Sequence, residues 1–182
     1  LEKPHKKEEL EKIMNPVVKQ WFFTRFKEFS LPQLYGVMEI HNENNILISA
    51  ETGGTKTLTC FLSILNELIN LSENNLLEDK TYAVYVSPLK ALTRDIEVNL
   101  KNPLEEMEKL AEKKFGIRIA VRTGDTTSSE KQKMSKKVPH ILLCTPETLS
   151  IILTSTKFIE HLKSTRYVII DEIHALADSK RG

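Results

Sequence analysis

Two short segments carry residue types that phosphate chemistry requires. The first is AETGGTKT at residues 50–57, which lies between an apolar run and an amphipathic stretch. The second is DEIH at residues 171–174, which ends the apolar run YVII. A glycine-rich turn between a strand and a helix holds phosphate oxygens with its backbone N–H groups, while a lysine reaches the terminal phosphates. The first segment therefore predicts a phosphate-binding loop, with Lys56 on the phosphates and Thr57 on a magnesium ion.

The loop departs from the strict pattern G-x-x-x-x-G-K-[ST]. Ala50 replaces the first glycine, which is a mild change, but Thr55 replaces the glycine before the lysine. If that position needs a left-handed backbone, a β-branched residue there costs about 1–2 kcal/mol. Glu51 also places a negative charge near the phosphates. Alone, the segment is either a strand–turn–helix without a ligand or a nucleotide site formed by Ala50, Glu51, Thr52, Gly53, Gly54, Thr55, Lys56 and Thr57.

The DEIH segment delivers two carboxylates to a strand end. Doubly wound sheets bind their ligands outside the carboxyl ends of the strands. Asp171 could hold magnesium there through water, and Glu172 could orient or deprotonate an attacking water. A solvated acidic strand end is the alternative, and the segment gains its meaning from occurring together with the loop.

Apolar runs and helical patterns alternate along the chain, which predicts an α/β fold with a doubly wound, mostly parallel sheet. The runs are mostly apolar throughout, as in strands covered on both faces. Helices are predicted over Thr57–Leu71 and over Asn102–Phe115, the second with Asn102 as N-cap, a capping box from Glu105, and Gly116 at its end. The predicted strands are Asn45–Ala50, Tyr82–Pro88, Ile117–Thr123, His140–Pro146 and Tyr167–His174.

Other segments carry structural expectations. The charged N-terminal segment, residues 1–14, is expected to be solvated or frayed, and Asn70–Lys80 is a polar connector. An aromatic-rich helix over Pro16–Phe29 is expected to face the core. The 182 residues suit a single domain, residues 15–182, and the net charge of +1 neither supports nor excludes a nucleic-acid partner.

The cysteines and the lengths of the apolar runs indicate the cellular location of the protein. Cys60 and Cys144 lie in apolar runs without metal-ligand spacing, which favours reduced core residues over a disulfide. No apolar run approaches the roughly 18–20 residues that span a membrane, and no secretory signal is visible. These features predict a cytoplasmic protein without a membrane partner, associated with the nucleoid if the source is archaeal or bacterial.

Further segments follow in a fixed order: SLPQLYG around Gln33, SPLKAL from Ser87, TGD from Thr123, TPETL from Thr145, and DEIHAL from Asp171. From about Pro16 onward this series resembles the first RecA-like domain of superfamily-two helicases of the DExH type, and it is most similar to the large helicase-related (Lhr) proteins. The resemblance implies a RecA-like P-loop NTPase fold with ATP and Mg2+ as cofactors.

The resemblance also implies roles for the nucleotide site. Gln33 would read the adenine edge, with Phe26 or Phe29 nearby. Lys56 and Thr57 match the phosphate and magnesium positions, and Asp171 and Glu172 match the magnesium and water-activating pair. His174 would couple the ATP site to the nucleic-acid groove.

The nucleic-acid partner is implied by segments that track one strand through its sugar-phosphate backbone. They contain Pro88, Leu89, Lys90, Thr123, Gly124, Thr145 and Pro146. Backbone contacts are generic, so the sequence selects neither DNA, RNA nor a hybrid, and the polarity of movement stays open. Without the resemblance, Lys90 is a surface lysine and Thr145 a helix N-cap. A basic cluster downstream suits either nucleic acid or a solvated helix face: Arg122, Lys131, Lys133, Lys136 and Lys137.

Taken together, the motifs predict the nucleotide-binding half of an ATP-dependent helicase or translocase. The chain ends just after DEIH, so we expect a fragment that is incomplete at its C-terminus and weak or inactive alone. The family's Ser/Thr-Ala-Thr strand would follow, and in the family it lies between the loop strand and the DEIH strand. A second RecA-like domain with an arginine finger would also follow. The alternative is a non-catalytic nucleic-acid-binding or scaffolding domain with a degenerate ATP site. A different P-loop enzyme, such as a kinase, would not explain the ordered motifs.

Overall fold

The computed structural model describes residues 3–50, 55–88 and 97–174. The chain divides into two units. The first comprises Leu1–Leu77 with Asp95–Gly116, and its described elements are helices. The second comprises Glu78–Arg94 with Ile117–Gly182, and its described strands form a four-stranded sheet.

Helix α4 is the longest element of the first unit. The unit contains α1 (Lys7–Ile13), α2 (Pro16–Arg25), α3 (Leu31–His41), α4 (Thr55–Glu73) and α5 (Asn102–Leu110), the last preceded by a π-helical turn, Glu97–Lys101. The apolar face predicted for α4 is buried, and the helix is two residues longer at each end than predicted. Part of the predicted connector at 70–80 is therefore helix.

The charged N-terminal segment is ordered from α1 onward, so its expected fraying is wrong for residues 7–13. Leu10 is fully buried, and the backbone N–H of Lys6 donates to Glu9 Oε2 over 2.9 Å. The backbone N–H of His5 donates to the carbonyl of Leu34 in α3 over 3.1 Å. The buried Leu10, the capping contact between Lys6 and Glu9 and the hydrogen bond to α3 thus help to hold a segment that is otherwise charged.

The aromatic helix is shorter than predicted, because α2 ends at Arg25 and Phe26 has an extended backbone. Trp21 and Phe22 face the core as expected. Phe29 returns from the loop to stack on Phe22, with ring centroids 4.5 Å apart. Phe26 remains 36% exposed.

The start and end predicted for the Asn102 helix are both wrong. The π-helical turn runs directly into α5, and Lys101 already has helical backbone angles, so Asn102 is not an N-cap. The helix ends at Leu110, and Glu112 takes the left-handed conformation (φ +52°) that follows a helix C-terminus. Gly116 is also left-handed, with φ +69°, but it lies in the loop before the next strand.

The predicted strand Asn45–Ala50 has no regular structure. A strand requires a hydrogen-bonded partner, and no strand occurs among the described residues of the first unit. The segment instead packs its isoleucines toward Gly36 of α3. A Cβ added at Gly36 would lie 3.1 Å from Ile48 Cδ1 and 2.9 Å from Thr59 Cγ2 of α4. Gly36 therefore permits a close approach of this segment and α4 to α3.

The other four predicted strands form the parallel sheet of the second unit, in the order β2-β3-β1-β4. Every residue of β1 and β3 is buried, as their continuous apolar sequence predicted. The second unit contains β1 (Ala83–Val86), β2 (Ile119–Arg122), α6 (Ser128–Lys136), β3 (Ile141–Cys144), α7 (Pro146–Leu153), α8 (Thr156–Leu162) and β4 (Tyr167–Ile170).

The outer strands are less covered than predicted. In the described part of the sheet β4 lies at one edge, where Val168 is 63% and Ile170 51% exposed. Strand β2, at the other edge, is half-buried throughout. The expectation that both faces are covered therefore holds for the central strands alone.

The two cysteines differ in burial. Cys144 in β3 is fully buried, and burial raises the pKa of its thiol to about 12. It is the inert core thiol that the sequence predicted. Cys60, in α4, is only half-buried.

His140 lies buried before β3, and its Nδ1 accepts a hydrogen bond from the backbone N–H of Arg118 over 3.0 Å. Burial, together with the positive charge of Arg118, lowers the pKa of His140 to about 4. The folded protein therefore holds this imidazole neutral at pH 7.

We expect the protein to lose stability as the pH falls from 6.5 toward 4. Unfolded His140 binds a proton near pH 6.5 and folded His140 only near pH 4, so acid favours the unfolded state, by roughly 2–3 kcal/mol. Urea unfolding at several pH values should show a smaller loss in His140→Gln, whose amide can accept the Arg118 N–H. Exposed His41→Gln is the control. An unchanged slope in His140→Gln would contradict this origin of acid sensitivity.

A Cβ at Gly36 should destabilise the first unit, because it would lie 2.9 Å from Thr59 Cγ2, which is closer than van der Waals contact allows. Gly36→Ala is expected to cost about 1–3 kcal/mol, as overpacking usually does. At Gly124 an added Cβ meets nothing within 4 Å, so Gly124→Ala is the matched control. Chemical denaturation measures both, and equal effects would refute the close contact.

Candidate functional site

The four strands of the second unit end at the same level. Val86 is paired with both Cys144 and Ile170, and Cys144 is also paired with Arg122. The next residues form a row along the carboxyl edge in the order Thr123, Thr145, Ser87 and Asp171. Backbone hydrogen bonds continue into this row, from Ser87 N to Cys144 O (3.1 Å) and from Asp171 N to Val86 O (2.9 Å). Four segments singled out in the sequence thus meet at one edge.

The carboxylate of Asp171 is held from two sides. The hydroxyl of Tyr85 in β1 donates to Oδ2, and the backbone N–H of Glu172 donates to Oδ1 over 2.8 Å. Because each carboxylate oxygen has two lone pairs, both retain room for a further partner. Asp171 is thus an oriented carboxylate at a strand end.

Glu172 has a left-handed backbone, with φ +51°. Such a conformation costs about 1–3 kcal/mol for a non-glycine residue and is found often at functional sites. Its Oε2 lies 3.1 Å from Nε2 of His174, and both side chains are exposed. The carboxylate expected to activate water is therefore open to solvent.

The oxygens of the Asp171 carboxylate suit magnesium, but the described side chains around it do not form a full set of ligands for the ion. Over residues 3–50, 55–88 and 97–174, no group of three or more His, Cys, Asp or Glu side chains could hold a metal. Mg2+ is usually bound by one or two carboxylates together with waters and substrate phosphates. Asp171 suits an ion of that kind, bound together with phosphates.

The loop after β2 is shaped by threonines. The backbone N–H of Thr123 donates to Thr126 Oγ1 over 2.8 Å, and the N–H of Thr126 donates back to Thr123 O over 3.2 Å. Thr127 then caps α6. Gly124 is exposed in this turn, and the space around it does not demand a glycine.

Thr145 is the N-cap of α7, which was the structural alternative for this residue. Its Oγ1 accepts from the N–H of Thr148 over 3.3 Å, and Pro146 occupies the first helical position. The Thr145 residue is only 7% exposed. Its hydroxyl is therefore engaged in the fold.

The basic cluster does not act as one patch. Helix α6 buries none of its residues, which agrees with a solvated face for its lysines. Arg122 is instead half-buried in β2, with its guanidinium 4.8 Å from the centroid of the Phe158 ring. Burial lowers the pKa of Arg122 from its usual value.

The first unit contains the described part of the phosphate loop. Lys56 Nζ donates to the carbonyl of Ala50 over 2.5 Å, so the two ends of the loop are joined. Thr55 is the first residue of the right-handed helix α4, and its carbonyl accepts from Thr59 Oγ1 over 2.6 Å. The left-handed conformation that would penalise Thr55 is therefore not its conformation here. Thr57 follows in the first turn.

Gln33 lies in the first turn of α3 and is 2% exposed. Its Oε1 accepts from the backbone N–H of Ser30 over 2.8 Å. The spacing S-x-x-Q in SLPQ is the sequence signal for this capping contact. The cap uses the amide oxygen and leaves the amide N–H groups for other partners.

Two parts of the predicted site lie outside the described residues. They are Glu51, Thr52, Gly53 and Gly54 in the loop, and Leu89 and Lys90 after β1. Tyr85 could not be identified from the sequence, because nothing in the sequence shows which residue of a neighbouring strand reaches Asp171.

The chain is similar in sequence to known helicases. Residues 30–182 match the family model for DEAD/DEAH box helicases. The chain is 52% identical to the ATP-dependent helicase Lhr-Core of Methanothermobacter thermautotrophicus, covering 96% of this chain and 20% of the relative. It is 37% identical to the Lhr helicase/uracil glycosylase of Escherichia coli, covering 93% of this chain and 12% of the relative. The chain thus spans about a fifth or less of these curated relatives.

Solved structures show the same fold. The Mycobacterium smegmatis helicase Lhr bound to ssDNA and AMP-PNP matches with a TM-score of 0.81 at 37% identity, over 92% of this chain and 21% of that one. Mss116p bound to ssRNA and AMP-PNP matches with a TM-score of 0.73 at 20% identity, over 98% and 35%, and supports the fold alone. The predicted RecA-like α/β fold and the helicase resemblance are confirmed.

Removing the Thr145 hydroxyl should destabilise the second unit. Thr145→Ala loses the cap of α7 and is expected to cost about 1 kcal/mol. Thr145→Ser keeps the capping oxygen and should stay close to the unaltered protein. Denaturant unfolding distinguishes the two variants. If alanine and serine had the same stability, the hydroxyl would not serve as a cap.

Proposed function

This chain belongs to the DEAD/DEAH box helicase family, and from that premise we propose that it is the nucleotide-binding half of an ATP-dependent helicase or translocase. The observation that carries the proposal is the row of Thr123, Thr145, Ser87 and Asp171 along one sheet edge. That row puts a candidate magnesium ligand on the same edge as segments suited to a nucleic-acid backbone. Hydrolysis of ATP would drive movement along the strand.

In the first unit, the start of α4 supports phosphate binding. The helix has 19 residues, and the N-terminus of a long helix attracts anions through its free N–H groups and its dipole. One acceptor for Lys56 is the neutral carbonyl of Ala50, and a phosphate oxygen would form a stronger, charge-assisted hydrogen bond than this carbonyl does. Thr57 would contribute a hydroxyl to magnesium.

The adenine would be recognised by the elements before the loop. The N–H groups of the Gln33 amide can donate to a ring nitrogen while its oxygen keeps the cap with Ser30. Of the two candidate aromatic residues, Phe26 is the better stacking partner, because Phe29 is buried against Phe22.

In the second unit, Asp171 would hold magnesium and Glu172 would accept a proton from the attacking water. Magnesium, when bound, supplies neutralisation of the charge on the transferred phosphate. The contact between Glu172 and His174, 3.1 Å from Oε2 to Nε2, supports a coupling role for His174.

The nucleic-acid strand would follow the carboxyl edge of the sheet. The loops at Pro88, Thr123–Gly124 and Thr145–Pro146 offer backbone groups and the hydroxyl of Thr123, which would grip phosphates and sugars without reading bases. Leu89 and Lys90 would add to this surface. The ssDNA bound to the similar Mycobacterium smegmatis helicase Lhr supports a single strand as the ligand class.

The full-length protein would continue beyond this chain with the missing strand of this domain and a second RecA-like domain. The relatives, about five times longer, support this. So do the exposed apolar residues Val168 and Ile170 on β4, which is an edge strand of the described sheet. The chain alone would hydrolyse ATP poorly, because an arginine finger contributes roughly 10³–10⁵ in rate where it has been measured.

The protein would work inside the cell, where ATP and nucleic acid occur together. Among the helices that the structure describes, none combines the length and the apolar character needed to cross a bilayer.

The alternative is a non-catalytic nucleic-acid-binding or scaffolding domain whose ATP site is degenerate. The substitutions at Glu51 and Thr55 favour it, since both weaken the phosphate-loop pattern. The helical position of Thr55 counts against it, because that residue is not forced into a left-handed backbone.

A nucleotide titration of the full-length protein separates the two functions. Lys56→Ala should weaken Mg-ATP binding about 10- to 100-fold, the range expected for a lost hydrogen bond to a charged group. Lys12→Ala, on the exposed face of α1, is the matched control. Fluorescence of a labelled ATP analogue gives both affinities.

Thr55→Gly completes this test. The helicase proposal holds if the unaltered protein binds Mg-ATP, and it holds for an impaired copy if Thr55→Gly restores binding. Absence of binding at millimolar ATP in both proteins would leave the non-catalytic function.

A further inference from the structure

Tyr85 and Asp171 meet because of the pairing between β1 and β4. Tyr85 is paired with Ile169, and Asp171 lies two residues beyond Ile169. Side chains two residues apart on a strand point to the same face, so Tyr85 and Asp171 share a face of the sheet. The hydroxyl of Tyr85 donates to Oδ2 of Asp171 across this pair.

The Tyr85 ring is fixed in place. The residue is 1% exposed and belongs to a strand that is buried throughout. Its hydroxyl therefore reaches the strand end from a rigid support. Asp171, in contrast, lies past the last residue of β4, where a carboxylate without partners would rotate.

We propose that Tyr85 is a positioning residue for magnesium–nucleotide binding, holding the Asp171 carboxylate so that its remaining lone pairs face the ion or its water. The backbone N–H of Glu172 fixes the other oxygen. This inference rests on the proposed function, since it assigns Tyr85 to the same magnesium site.

Fixing the carboxylate before the ion arrives should strengthen binding. A ligand that is already oriented loses little conformational freedom when the metal binds. In metal sites generally, removing the hydrogen-bond partner of a ligand lowers metal affinity or activity by about 10- to 100-fold. We expect a reduction near the lower end of that range, because the backbone N–H of Glu172 still holds Oδ1.

A purely structural role for Tyr85 makes a different prediction, and Tyr82 is the matched comparison. Tyr82 is also 1% exposed, and its hydroxyl accepts from the backbone N–H of Glu78 over 3.0 Å. It precedes the same strand, at the end away from Asp171. Tyr82→Phe therefore removes a buried tyrosine hydroxyl without changing the carboxylate.

The experiment measures the affinity of the full-length protein for a fluorescent ATP analogue, with saturating Mg2+ and with EDTA. The ratio of the two affinities reports the contribution of magnesium and does not depend on turnover. We expect Tyr85→Phe to reduce this ratio about tenfold. The affinity measured with Mg2+ should fall, while the affinity measured with EDTA should not change. Tyr82→Phe should leave the ratio unchanged, while thermal unfolding shows similar losses in both variants.

The outcomes are distinguishable. An unchanged ratio in Tyr85→Phe would overturn the positioning role and leave the proposed function intact, because the unaltered protein would still bind nucleotide with magnesium. An equal reduction in both phenylalanine variants would also overturn it, since a general loss of packing would then explain the effect. A ratio of one in the unaltered protein would refute the magnesium site, and this inference with it.

Discussion

The parallel register of the sheet is the constraint on which the second unit's site depends. Because Arg122, Cys144, Val86 and Ile170 are aligned, the loops that follow them emerge side by side. Register also decides which faces meet. A one-residue slip of β4 would turn Asp171 to the other face of the sheet and separate it from Tyr85. The burial pattern of β4 itself opposes such a slip, because Tyr167 is buried while Val168 and Ile170 are exposed, and a slip would exchange these two faces.

In the first unit, the packing of helices fixes the position of the start of α4. Gly36 lets α3 approach Thr59 of α4, and the same threonine hydroxyl donates to the carbonyl of Thr55. The start of α4 is thereby tied to the core of its unit, two residues before Thr57. The unusual Thr55 is accommodated as a helical residue, and its remaining cost is the side chain near the predicted phosphates. That cost bears on affinity more than on backbone strain.

The parts of the fold that depend on local sequence were predictable, and those that depend on partners were not. Continuous apolar runs identified β1 and β3, and the 3.6-residue pattern identified α4. The run Asn45–Ala50 is also largely apolar but has no strand to pair with in the described first unit. Capping signals at Asn102 were overridden by the π-helical turn before it. The order of the motifs was enough to identify Asp171 as a candidate. The role of Tyr85 depends on the register between β1 and β4, which no single segment of the sequence encodes.

The most direct test of the account is a structure of the full-length protein with Mg2+, a non-hydrolysable ATP analogue and a single-stranded nucleic acid. The account predicts a magnesium ion or its water on the Asp171 carboxylate, with Tyr85 still bound to Oδ2. It also predicts sugar-phosphate contacts along the loops at Thr123 and Thr145, and Lys56 moved from Ala50 O to a phosphate. A nucleic-acid strand bound away from this edge, or a nucleotide bound with Lys56 still on Ala50 O, would contradict it.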